Sequence, residues 1–368
     1  MRILHIHGHH SASDRFTENF HSLFPGKNVV IKIPAEGNEV TVFKDGERIQ
    51  YSDWTSFAKV FNFSEISIVV VHYLDFQKER FIYKFVPERV PVVWWMYGGD
   101  LYDRLYVKGY KLYAPQTLTY VGRLPKNPIS YIRRKRFNWR QKRIDKIILR
   151  RIVGVIPCLR PDYALACSLL GREVDLVDIT PQGGIDGFPF TNGNDICVGH
   201  SASLSSNHLY ALDILKKVDT NGSQIVLPLS YTIQSEDYRK AVVERYTQEY
   251  GSRAHFLFDY QDLDTYRKGF LNYKVAIYPC WRQEALANVS ICFQLGVKVF
   301  LSKHNPCLEY YQGRGYYIYE LEDIKSPDDL KPLTKEQQIK NKELYDIIKM
   351  ERDNLVTPNL INYFAKYV

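Results

Sequence analysis

The chain is predicted to be an α/β protein built from two doubly wound parallel sheets, one in each half. Three observations carry that expectation. Short apolar runs rich in β-branched residues recur along the chain, among them IVVVHYL at 68–74, VPVVWW at 90–95 and KVAIY at 274–278. Strands buried on both faces of a parallel sheet read as such near-continuous runs. These runs alternate with segments of helical character, most cleanly after residue 194. The length of 368 residues favours two domains, each large enough to bury a core.

Residues 2–7 read as a first strand that breaks at Gly8, with a helix over about 14–23 and a second strand at 28–33. Asp45-Gly46, lying between short β-rich runs in 38–51, is a hairpin signal. The strands at 68–74 and 90–99 follow, then a basic stretch, then strand, turn and helix over 154–171, stopped at Gly171. Residues 172–194 hold the run TPQGGIDGFPFTNGN and are the candidate interdomain linker. Beyond it, DICVG, QIVLPLSY, HFLFD, KVAIYPC and VKVFLS read as strands separated by helices. The expected domains are therefore 1–185, 195–310, and a helical tail at 311–368 that packs back on the first domain.

The net charge of +8 is concentrated. From Arg123 to Arg151 there are twelve Lys or Arg and a single acid, Asp145, so this segment carries +11 and the rest is mildly acidic. Aromatic and aliphatic residues interleave with the cations, which suits an anionic membrane surface and also suits nucleic acid. Membrane is the preferred reading, because no nucleic-acid module accompanies the segment. The membrane-facing candidates are Arg133, Arg134, Lys135, Arg136, Arg140, Lys142 and Arg143. The six cysteines show neither a CxxC pair nor zinc spacing, and suit reduced thiols in a cytosolic protein. The amino terminus lacks the apolar core of a signal peptide, and no apolar run is long enough to span a bilayer.

Two strand-to-turn segments hold the chemistry. In ICVGHSASLSSNH (196–208), small residues after a strand allow backbone N–H groups to approach a phosphate, with a helix amino terminus behind them. Gly199, His200, Ser201, Ser203 and Asn207 are the candidates; the bland alternative is a capped turn with Ser206 or Asn207 as N-cap. In CWRQEALANVS (280–290), Arg282, Gln283 and Glu284 stand beside a second helix start, where Arg282 could clamp a diphosphate or simply pair with an acid. Tyr231, after the VLPLS strand, could pack on a nucleobase. In VVWWMYGGDLY (92–102), Asp100 is a candidate general base or a helix cap, and His72 at the end of VVVHY is the second base candidate. Arg160 and Asp162 could contact sugar or phosphate, or pair with one another. Asp262-x-Asp264 resembles a metal-holding DxD but opens a helix, so it reads as a cap. No metal site and no cofactor are expected.

At these residues the chain resembles the TDP-N-acetylfucosamine:lipid II N-acetylfucosaminyltransferases, glycosyltransferase family 56 of the GT-B superfamily. VVVHY, WWMYGGDLY with YKLYAP, VGVIPCLRPD, VGHSASLSSNH, VLPLSY and YPCWRQEALANVSICFQLGVKVFLSKHNP occur in the family's order over roughly 66–310. The first sixty residues match that pattern poorly, and the basic segment is longer. The resemblance implies two Rossmann-like domains facing across a cleft. It also implies transfer of an amino-deoxyhexose from a dTDP carrier, without a metal, to a polyprenyl-diphosphate-linked saccharide of bacterial surface polysaccharide. It places Asp100 and His72 on the acceptor side, and Gly199, Ser201, Asn207, His208, Arg282 and Gln283 on the donor side. The expected partners are a dTDP- or UDP-sugar, a lipid-linked acceptor and the inner face of the plasma membrane. Rival readings are a GT-B sugar-nucleotide epimerase or hydrolase, and a non-catalytic membrane- or nucleic-acid-binding protein.

Overall fold

Two parallel sheets organise the chain, and each is the core of a separate unit. The computed structural model describes residues 1–8, 17–18, 20–34, 39–44, 46–122, 128–178 and 187–368; the side chains of 128–138 and 352 also lie outside the description. The first unit comprises 1–107, 124–180 and 352–368, and the second 108–123 and 181–351.

The first unit holds an eight-stranded sheet in the order β4-β3-β2-β1-β5-β6-β7-β8. Its strands are β1 (Arg2–His7), β2 (Asn28–Lys32), β3 (Val40–Lys44), β4 (Glu47–Tyr51), β5 (Ile66–His72), β6 (Val92–Trp95), β7 (Ile152–Ile156) and β8 (Asp175–Leu176). All neighbours are parallel except the edge pairs β2–β3 and β3–β4. The β3–β4 hairpin turns through Gly46 at φ +85°, a left-handed angle that glycine adopts without steric penalty; Asp45 itself lies outside the described residues. The apolar runs of β5 and β6 are almost wholly buried, as strands sandwiched between helices must be.

Helices α1 (Trp54–Val60), α2 (Phe76–Phe85) and α3 (Gly99–Val107) precede the short α4 (Pro115–Leu118). The basic stretch forms one helix, α5 (Pro128–Arg151), and α6 (Arg160–Leu170) follows, ending at Gly171 with φ +69°. Asp145, the lone acid of the basic segment, accepts from Arg104 Nε at 2.9 Å. Arg104 also pairs with Glu79, which accepts from Gln141 as well. This network fixes α5 against α2 and α3 through the only carboxylate the segment possesses. Burial pushes Glu79 up to about 8, against the opposing pull of Arg104.

The second sheet has six parallel strands: β9 (Asp195–Val198), β10 (Ile225–Pro228), β11 (Ala254–Leu257), β12 (Tyr273–Tyr278), β13 (Lys298–Leu301) and β14 (Ile318–Glu320). Their order, β11-β10-β9-β12-β13-β14, is the dinucleotide-fold order 3-2-1-4-5-6. Helices α7 (His208–Leu215), α8 (Glu236–Tyr250), α9 (Leu263–Gly269), α10 (Leu286–Leu295) and α11 (Cys307–Gln312) complete the alternation, before the long α12 (Lys335–Phe364).

Two domain expectations need correction. Residues 108–123, assigned to the first domain, belong to the second unit: Tyr113, Tyr120 and Val121 pack on its core, and the Tyr120 ring meets Tyr238 edge-on at 5.3 Å. Of the expected tail, 311–351 is part of the second unit and contributes β14. Only 352–368 joins the first unit, where Leu360 and Phe364 bury against Phe20, Phe24 and Trp95. Among the described residues, no helix is long and apolar enough to cross a membrane.

Candidate functional site

In an open α/β sheet, ligands bind outside the carboxyl ends of the strands where the strand order reverses. In the second unit that point lies between β9 and β12, and both strands exit into the segments singled out from sequence. After β9, Gly199 takes φ +75° and donates its N–H to Ile277 O at 2.8 Å. Most of the following N–H groups are already spent on other acceptors. Ala202 donates to Tyr231 O, Leu204 to Gln234 Oε1, and Ser205 to Ser203 Oγ. Those of His200 and Ser201 donate to no described residue.

After β12, Arg282 grips Glu284 through Nε at 3.0 Å and Nη2 at 2.9 Å. Ser205 Oγ donates to the same carboxylate at 2.8 Å, and His200 Nε2 stands 3.6 Å from it. Four residues from two loops thus form one connected polar cluster. Arg282 and His200 hold the buried Glu284 carboxyl down to about 2, against the upward push of burial. Burial lowers His200, outweighing the upward pull of Glu284. Immediately beyond, Ala285 sits at φ +62°, an uncommon angle for a residue with a Cβ, and no side chain caps α10. Its first-turn N–H groups, with the positive end of the helix dipole, complement an anion.

Two further atoms point to an absent partner. His200 Nδ1 and Gln283 Oε1 are buried without a hydrogen bond, and buried polar atoms left so call for explanation. Beside the cluster lies a cavity of about 230 Å³, lined by His200, Pro228, Tyr231, Tyr260, Tyr266 and Asn288, among others. Tyr231 is 57% exposed and Tyr260 84%, so both rings are available for stacking at its rim. Sequence reasoning reached His200 and Tyr231 but missed Ser205, Asn288 and the 259–261 loop. The end of the HFLFD strand, a third carboxyl edge in the same sheet, was the available signal for the last of these.

Several candidates have other roles. Asn207 was expected to meet the anion or cap a helix. Its Oδ1 accepts from Ala114 N at 2.9 Å and its Nδ2 donates to Leu112 O at 3.2 Å, so the side chain sews 108–123 onto the sheet. No side-chain cap bond is made from Asn207, which itself adopts φ +44°. His208 is fully buried under Gly199, where it takes its backbone N–H to Tyr238 OH and is held down to about 3 by burial. The Ser201 and Ser203 hydroxyls bond within the loop, to Ser206 and Ser205. Asp262 is the N-cap of α9, accepting from Asp264 N and Thr265 N.

Gly199 is required twice over. A Cβ there would stand 2.4 Å from His208 Nε2, and its φ is left-handed. Gly199→Ala is expected to destabilise the second unit by about 2 kcal/mol or more. It should also abolish nucleotide binding; a normal melting curve with normal titration would show that the loop tolerates a side chain.

In the first unit the two proposed bases are closed off. Asp100 is 2% exposed, and its carboxylate accepts from Leu74 N (2.9 Å), Trp94 Nε1 (2.6 Å) and Tyr97 N (3.0 Å). Burial raises its pKa against those three donors. His72 is fully buried at the switch point between β1 and β5. Its Nε2 lies 3.3 Å from His5 Nδ1, and its ring stacks on Trp95 at 4.8 Å. Burial drives His72 well below the usual imidazole range. These are structural positions rather than exposed bases. Asp162 is likewise buried, accepting from Tyr102 OH at 2.8 Å, while Arg160 stays at the surface and makes no ion pair with it. Of the basic-face candidates, Arg140, Lys142 and Arg143 are exposed on α5; the side chains of Arg133, Arg134, Lys135 and Arg136 lie outside the described residues.

Residues 190–327 match a family model described as 4-alpha-L-fucosyltransferase, glycosyl transferase group 56. That span contains the switch-point cluster and the adjoining cavity. No curated protein matches the chain. Solved structures of similar fold include Anabaena HepE in complex with UDP (11% identity, TM-score 0.59, all of both chains). The Burkholderia vietnamiensis UDP-forming α,α-trehalose-phosphate synthase is 9% identical, with TM-score 0.59 over 100% of this chain and 99% of that one. The trehalose-6-phosphate synthase OtsA is 10% identical, with TM-score 0.60 over all of both. The chain is a glycosyltransferase of the GT-B fold, and its second unit carries the match to glycosyl transferase group 56.

Proposed function

We propose that the protein transfers an N-acetylfucosamine-like amino-deoxyhexose from a dTDP-sugar to a polyprenyl-diphosphate-linked saccharide, at the inner face of a bacterial plasma membrane. The observation that carries the donor half is the anion cradle at the β9–β12 switch point. There the N–H groups of His200 and Ser201, which donate to no described residue, and the uncapped start of α10 come from the same two loops as the Arg282–Glu284 pair. The nucleoside would lie in the adjoining cavity, its base on Tyr231 or Tyr260. An acceptor hydroxyl attacks the anomeric carbon, the bond from that carbon to the diphosphate oxygen breaks, and the diphosphate leaves into the cradle. Donors already fixed in place stabilise the charge as it develops, without reorganisation at that moment. Gln283 Oε1, buried and unpaired, is suited to accept from a sugar hydroxyl.

The fucosyl description of the matched family supports the sugar class. The lipid acceptor and the membrane face are supported by the resembling motifs from residue 66 onward and by the cationic α5. Calorimetric titration of dTDP and UDP without added metal tests the reading. The expected result is binding of dTDP in preference to UDP; preference for UDP would reassign the carrier, and binding of neither would overturn the donor site.

A further inference from the structure

A cationic cavity outside the donor site lies in the first unit, where α1, α2 and α5 meet. It measures about 470 Å³ and is lined by Trp54, Phe76, Arg80, Tyr83, Lys84 and Arg140, together with Asp53 and Gln141. We propose that it binds a phosphate ester presented at a lipid surface, the headgroup phosphate of an anionic phospholipid. The choice of a lipid over another phosphate source rests on the membrane-facing part of the proposed function.

Charge is the first argument. Three cations and one acid line the cavity. Arg80, Lys84 and Arg140 are exposed and make no ion pair with any described residue. Asp53 is spent as the N-cap of α1: its carboxylate accepts from Thr55 N at 2.7 Å, Ser56 N at 2.9 Å and Ser56 Oγ at 2.9 Å.

Pre-organisation is the second. The Arg80 guanidinium lies 5.8 Å from the Trp54 ring centroid and 5.2 Å from that of Phe76. Stacking between aromatic rings holds the planar fork in place while leaving its edge to meet phosphate oxygens in a bidentate manner. Arg140 comes from α5, whose position is set by the Arg104–Asp145–Glu79 network. Gln141, on the same helix, has its Oε1 buried without a donor. A hydroxyl on the headgroup would satisfy it.

The third argument selects a lipid over a soluble phosphate. Trp139, next to Arg140, is 65% exposed, and Tyr83 in the cavity wall is 47% exposed. Such amphipathic rings favour the membrane–water interface, and the surrounding cations favour its anionic leaflet. Exposed aromatics flanking a cavity with unpaired cations would let a headgroup enter while the rings sit at the acyl boundary.

The test is flotation of the full chain with vesicles of phosphatidylcholine alone or mixed with phosphatidylglycerol. Arg80→Gln/Lys84→Gln is compared with Lys146→Gln/Arg150→Gln, an equal charge change farther along α5. The expected result is binding that requires phosphatidylglycerol, weakened about tenfold or more by the cavity pair and less than about twofold by the distant pair. Equal losses from the two pairs would mean a diffuse field and no site, and unchanged binding would remove the cavity from membrane contact. Titration with inorganic phosphate separates the sources: saturable binding lost in the cavity pair, with vesicle binding intact, would overturn the lipid assignment. Arg80→Lys, which keeps the charge but loses the planar fork, should fold like wild type and bind between wild type and the cavity pair, which guards against a trivial folding defect; binding as weak as that of the cavity pair together with a lowered melting curve would overturn the site. Nucleotide titration of the same variants reads the second unit independently, so failure of the donor reading is distinguishable from failure of this one.

Discussion

Arg282→Ala is expected to weaken nucleoside diphosphate binding by about thirtyfold or more, the size of one lost charge-assisted contact. The structure makes this loss more than the removal of a cation. Both Glu284 oxygens receive Arg282, so the pair is neutral while intact. Removing the guanidinium leaves a buried carboxylate beside the place where a diphosphate must lie. Breaking a buried pair from one side costs about 3–5 kcal/mol, most of it the stranded charge. The double variant Arg282→Ala/Glu284→Gln should therefore recover part of the lost affinity, and Glu284→Gln alone should bind at least as well as wild type. A double-mutant cycle by calorimetry measures this coupling. If the double variant binds no better than Arg282→Ala, the arginine acts on the ligand directly and Glu284 is a bystander. Acid stability gives a second check. Glu284 is depressed from its ordinary value of 4.5 to about 2, so its stabilising contribution is present above 4.5 and is lost as pH falls from 4.5 through about 2. Glu284→Gln should flatten that limb of the stability curve.

The same cluster shows what a sequence discloses and what it hides. The turn after β9 and the one after β12 were visible, because an apolar strand ending in small or charged residues before a helix is a local pattern. That Arg282 would be held by Glu284, two residues away, required only the alternative left open at the outset. Asn207 was misread for a different reason. Its type suits a cap, and nothing nearby shows that Ala114 and Leu112, almost a hundred residues earlier, would claim its side chain. The transfer of 108–123 to the second unit was hidden with it, since that assignment rests on long-range contacts such as Tyr120 with Tyr238. The strand order of the second sheet could be foreseen only as doubly wound, because parallel neighbours are chosen by crossover and not by local pattern. The hairpin at Gly46 and the buried runs of β5 and β6 were legible, since turn chemistry and two-sided burial each leave a local mark.

Asp100 illustrates the harder failure, and it supplies the second large effect. Asp100→Ala is expected to destabilise the first unit by about 3 kcal/mol or more, because three buried donors lose their acceptor together. For a unit of this size that is a fall of roughly 6–12 °C in its thermal transition. The three donors belong to neighbouring strand exits. Leu74 N follows β5, just past Tyr73 at φ +55°, while Trp94 Nε1 and Tyr97 N belong to β6 and its exit. The carboxylate thus ties two strand ends together at the carboxyl edge of the sheet, and it does so from the first turn of α3. Asparagine cannot replace it. Leu74 and Trp94 both donate to Oδ2 and Tyr97 to Oδ1, so an amide offers one acceptor and turns its NH₂ toward at least one other N–H. Asp100→Asn should therefore lie between wild type and Asp100→Ala in stability. A general base predicts the opposite pattern: Asp100→Asn would fold with an unchanged transition and lose turnover alone. Measuring thermal unfolding and transfer rate on both variants separates the two. Loss of turnover that scales with loss of stability would establish the carboxylate as the fastener of the strand exits.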